Sequence, residues 1–118
     1  MTIRECYELM ESDYDGVLRR LGNENIIARV AVKFLNDPSI NELRSALSDG
    51  RTEDAFRAAH TLKGVCVNLG FDRLYECSSD LTELLRNGNS NGADILLARV
   101  EESYEITTDA LTRFKESL

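Results

Sequence analysis

At 118 residues the chain has the length of one ordinary domain, enough to bury a core without disulfides or metal and too short for two. Its 14 Lys+Arg against 21 Asp+Glu give a formal charge of −7, a balance that excludes a phosphate-backbone binder, which needs clustered cations. No apolar run approaches the roughly 18 residues of a membrane span, and Cys6, Cys66 and Cys77 match no zinc or CxxC spacing, so reduced thiols in the cytoplasm are expected.

Residues 2–11 carry Ile3, Cys6, Leu9 and Met10 at helical spacing and predict a short helix that lids one end of the core. Ser12 and Asp13 are capping types ahead of Val17, Leu18 and Leu21, and Gly22 is placed to end that helix. Asn23 offers the next cap. Ile26, Ile27, Val30, Ala31, Phe34 and Leu35 then repeat at three and four residues, the pattern of a first bundle-length amphipathic helix. Asn36-Asp37-Pro38 stops it, and Ile40, Leu43 and Leu47 supply the apolar face of the helix that follows.

Ser48-Asp49-Gly50 is a stop-and-turn cluster, and Glu53 and Asp54 suit the first turn of the next helix, where negative charge meets the dipole. Over residues 55–70 the residues Ala55, Ala59, Leu62, Cys66 and Leu69 fall into one narrow stripe, the core face, and Gly70 closes the helix. Asp72 is a plausible cap for a helix that buries Leu74, Cys77, Leu81, Leu84 and Leu85 and leaves Glu83 and Arg86 to water. Residues 87–92, NGNSNG, form a loop, and Ile95, Leu96, Leu97, Val100, Tyr104, Leu111 and Phe114 carry a last apolar repeat, interrupted by Thr107. The expected fold is all-α, residues 1–118 forming a single domain: an antiparallel up-down four-helix bundle with residues 2–21 packed against one end.

The one histidine, His60, does not lie in the core stripe. It projects about 140° away from it by helical arithmetic, with Phe56 and Val67 beside it, Lys63 between it and the core and Gly64 one turn onward. Apolar residues grouped on an outward face suggest a docking patch. A glycine inside a helix costs roughly 1 kcal/mol relative to alanine, so Gly64 suggests that something approaches the backbone there. Residues 51–73 hold four basic and three acidic side chains, a local +1 that leaves −8 on the remainder, so this is the least acidic part of the chain.

His60-Thr61-Leu62-Lys63-Gly64 followed by Leu69-Gly70 resembles the H-x-x-K-G…L-G signature of histidine-containing phosphotransfer (HPt) domains. The likeness extends to residues 13–22, to Phe34-Leu35, to Leu43 and Leu47 with Gly50, and to Leu84-Leu85-Arg86-Asn87-Gly88. The resemblance implies a four-helix bundle in a phosphorelay of a two-component system, in which His60 accepts a phosphoryl group from the aspartyl phosphate of one receiver domain and passes it to another. It implies a phosphocarrier without kinase activity, a monomer whose partners are response-regulator receiver domains and a histidine kinase, with no nucleic acid, membrane or cofactor of its own and with magnesium supplied by the receiver. Lys63 then offsets phosphoryl charge, Gly64 admits the partner's active site, and Phe56, Arg57, Thr61 and Val67 form the contact.

Two alternatives stay open: a phospho-accepting domain excised from a larger chemotaxis-type or hybrid kinase, and a non-catalytic helical interaction module. Kinase dimerisation domains usually have an acidic residue directly after the histidine, where Thr61 stands here. A Cys/His hydrolase built on Cys66 and His60 is excluded, because the two side chains point about 120° apart and are separated by roughly 9 Å of helix rise.

Overall fold

The computed structural model describes residues Met1–Leu118. They form seven α-helices, α1 (Ile3–Leu9), α2 (Tyr14–Leu21), α3 (Glu24–Lys33), α4 (Ser39–Ser48), α5 (Thr52–Leu69), α6 (Asp72–Leu85) and α7 (Ala93–Glu116), with a 3-10 turn, Phe34–Asn36, after α3. The starts follow side-chain chemistry. Thr2 and Glu5 make a reciprocal capping box on α1, Asp13 accepts from the Gly16 N–H on α2, and Asn23 accepts from Asn25 and Ile26 on α3. Asp37 accepts from the Ser39 N–H ahead of α4.

The last four helices make the bundle, α4 packing on α5, α5 on α6 and α6 on α7. Arg44 of α4 reaches α7, where its Nε lies 3.2 Å from Glu101 Oε1 and its guanidinium 5.7 Å from the Tyr104 ring centre. The expected bundle is therefore present, but the segment at its end is longer than residues 2–21. Helix α3 belongs to it too, packing on α1, α2 and the flanks of α5 and α7. The reason lies in its face: α3 buries Ile27 and Ala31 while Ile26 is 41% exposed, and the 3-10 turn redirects the chain after ten residues.

All seven helices contribute to one cluster of 27 buried apolar residues, so α1 to α3 share the core rather than merely rest on it. Their part of it is aromatic. Phe71, at the α5–α6 turn, meets Tyr7 at 5.7 Å and Phe34 at 5.2 Å between ring centres, and Phe34 meets Tyr104 at 5.8 Å.

The end segment also fixes the C-terminus of α5, where helix carbonyls lack intrahelical donors. The Tyr7 hydroxyl donates to the Leu69 carbonyl at 2.7 Å, and Arg20 Nη1 donates to the Val67 carbonyl at 3.0 Å, a cation at the negative end of the dipole. Gly70 closes the helix at φ 70°, and an added Cβ there would run into Val17, so this glycine is demanded by both conformation and packing. Asp72 does not cap its own helix as expected. Its carboxylate accepts from the Asp13 N–H at 2.8 Å while its own N–H donates to Ser12 Oγ at 3.2 Å, a clasp between the starts of α2 and α6. Ile95 is likewise off the apolar stripe of α7, 61% exposed, because it stands about 200° round from Ala93.

Candidate functional site

Helix α5 buries Ala55, Ala58, Ala59, Leu62, Cys66 and Leu69, the predicted stripe with Ala58 added. Its three alanines let α4 and α6 approach closely on either side, which leaves the opposite face of α5 as a ridge between them. On that ridge His60, Thr61, Arg57 and Val67 are exposed, Val67 by 46%, whereas Phe56, Lys63 and Gly64 are half-buried. Apart from its chain neighbours and the backbone of its own helix, nothing lies within 4 Å of the place a Gly64 side chain would occupy. The gap is therefore open to the outside.

The predicted residues divide between two sides of the ridge. Toward α6, the Phe56 ring lies 6.0 Å from the imidazole of His60 between centres, and Lys63 Nζ stands 3.9 Å from Glu83 Oε1. Toward α4, Arg57 and Thr61 line a polar cleft of about 520 Å³ together with Asn41, Ser45, Arg51 and Asp54. Arg57 is held there, its Nη2 2.9 Å from Asp54 Oδ1, and Asp54 also accepts from Arg51 at 3.0 Å. Those two contacts, with Arg51 first, hold the Asp54 carboxyl below its usual range.

Glu83 and Arg86, expected to face water, are exposed and stand at the histidine face, beside Lys63 and Phe56. Arg86 grips Glu83 through two bonds, Nε to Oε2 and Nη2 to Oε1, each 3.0 Å, and its guanidinium carbon lies 5.2 Å from the centre of the Phe56 ring. The Arg86 bonds, foremost, then Lys63 and His60, keep the Glu83 carboxyl below the ordinary carboxylate range. The face is thus a run Phe56, His60, Gly64 and Val67 along α5, flanked by Lys63 and by the Glu83–Arg86 pair. No group of three or more His, Cys, Asp or Glu side chains is placed to hold a metal ion, and no helix is long and apolar enough to cross a membrane.

The family model described as Hpt domain matches residues 36–113. The chain belongs to the Hpt domain family. Hpt domains are phosphocarriers of two-component signalling that interact with receiver domains and histidine kinases. The matched residues run from the 3-10 turn into α7 and so correspond to the four-helix bundle, while α1 to α3, which anchor the end of the histidine helix, precede them. No curated protein and no solved structure gives a significant match to this chain.

Proposed function

We propose that the 118 residues act as one unit in a cytoplasmic phosphorelay, in which His60 accepts a phosphoryl group from a receiver-domain aspartyl phosphate and passes it to the aspartate of a second receiver domain. The observation that carries this reading is the placement of the chain's one imidazole: exposed, on a helix whose opposite face is locked in the core, beside an apolar ring and next to an open gap.

One nitrogen of the neutral imidazole attacks phosphorus while the other keeps its proton. The P–N bond forms as the bond between phosphorus and the receiver's carboxyl oxygen breaks, and the carboxylate leaves; the second transfer runs the same exchange in reverse. Phosphoryl transfer needs in-line placement and charge neutralisation more than covalent machinery. On this side Lys63 offers the charge, Gly64 leaves room for the partner's catalytic loops, and Phe56 and Val67 give the apolar contact that excludes water. Arg57 and Thr61 face the α4 cleft and meet the edge of the partner.

A two-receiver assay tests the relay. Protein loaded from one phosphorylated receiver and freed of it is expected to label a second, unphosphorylated receiver. Retention of the label in the presence of every receiver offered would overturn the relay.

A further inference from the structure

On the histidine face the Glu83 carboxylate stands among the groups that a phosphoryl anion attracts. Lys63 Nζ of α5 lies 3.9 Å from its Oε1, and Nη2 of Arg86, at the C-terminal cap of α6, lies 3.0 Å from the same oxygen. Two cations from two helices therefore converge on a single side chain. A cation already paired to a carboxylate serves a second anion only by being shared or released. A carboxylate on the same face also repels a phosphoryl dianion directly.

We propose that Glu83 is a positioning residue: it occupies Lys63 and Arg86 while His60 is bare, competes with the phosphoryl group for them once His60 is phosphorylated, and so keeps phospho-His60 poised to give its phosphoryl group away. Glu83 forms and breaks no covalent bond in this role. It acts on the balance between the P–N bond at His60 and the acyl phosphate of the receiver. The inference rests on the carrier reading given above. It adds the element that keeps the carrier from becoming a sink.

The substitutions Glu83→Gln, which keeps size and removes charge, and Glu83→Asp, which keeps charge, separate electrostatics from shape. With a phosphorylated receiver at low ionic strength, Glu83→Gln is expected to move the phosphoryl partition about threefold to tenfold toward His60, the size of one charge interaction across a wet surface. The shift should shrink in high salt, and Glu83→Asp should stay near wild type. An unchanged partition, a shift toward the receiver, or an Asp variant that behaves like the Gln variant would overturn the proposal.

A second arm needs no receiver. Potassium phosphoramidate, a small phosphoryl donor, loads His60 directly, and the phosphoryl group is titrated by phosphorus NMR. Its last proton should leave at lower pH in Glu83→Gln than in wild type, and equal midpoints would overturn the role of Glu83. A wild-type protein that accepts from phosphoramidate but exchanges with no receiver refutes the carrier reading instead, and the phosphorus titration still decides on Glu83.

Discussion

Arg86, at the C-terminal cap of α6, lies over the ring of Phe56 of α5, its guanidinium carbon 5.2 Å from the ring centre, and the same ring stands 6.0 Å from His60. The contact joins the two helices of the site through a surface cation over a half-buried ring, worth about 0.5–1 kcal/mol in a wet setting. Arg86→Ala and Lys63→Ala are therefore expected to slow phosphoryl transfer at least several-fold while shifting stability by no more than about 1 kcal/mol. Stopped-flow transfer rates set beside urea melts check this. A large stability loss with unchanged transfer would make these side chains structural.

Gly64 and Gly70 sit in one helix and its cap, and they should respond oppositely to alanine. At Gly64 the added methyl meets nothing within 4 Å, so Gly64→Ala is expected to stabilise the helix by roughly 1 kcal/mol. Any loss of transfer in that variant then arises against the partner. At Gly70 the φ of 70° and the collision with Val17 make alanine destabilising by at least about 1 kcal/mol. Thermal melts of the two variants test the contrast, and equal changes of either sign would contradict it.

The Glu83 carboxyl, held down first by the Arg86 bonds, should titrate below its ordinary 4.5. A depressed folded-state value means that its contribution is fully present above the ordinary value and is lost only as pH falls through the lower one. The clasp on Arg86 and Lys63 is thus expected to persist at pH 4.5 and to open under stronger acid. Carboxyl-detected NMR of Glu83 reads the midpoint directly; a midpoint at or above 4.5 would show that the pairing is not formed in solution.

Burial pushes the Cys6 thiol up to about 11 and the Cys66 thiol further, whereas Cys77 is raised less and is partly open beside Arg73, Arg99 and Ile106. Thiolate is the reactive form. Iodoacetamide at pH 8 should therefore alkylate Cys77 first, with Cys6 and Cys66 reacting only on unfolding. Mass spectrometry of time points shows the order, and early modification of Cys66 would contradict the core packing of α5.

The parts of this arrangement legible in the sequence are those set by local periodicity. Ala55, Ala59, Leu62, Cys66 and Leu69 fall on one side of a single helix whatever its neighbours do, so the outward aim of His60 followed, and so did the open gap at Gly64. The meeting of Glu83 and Arg86 with that face depends on how α6 is registered against α5, a property of the packed pair and not of either repeat. A charged i, i+3 pair on the helix that follows the histidine helix was the available signal. Ile26, which stays exposed, and Asp72, which accepts from the Asp13 N–H, depart from expectation for one reason: whether an apolar residue at the edge of a stripe is covered, and which donor a carboxylate at a helix start meets, is settled only in the assembled end segment.

The carrier role of His60 is tested most directly by site-resolved labelling with a radioactive phosphorylated receiver domain. Wild-type protein is expected to acquire phosphate that is labile in acid and stable in alkali, on the peptide bearing His60, and His60→Gln to acquire none while melting like wild type. A folded His60→Gln protein that still takes up the label would contradict the assignment.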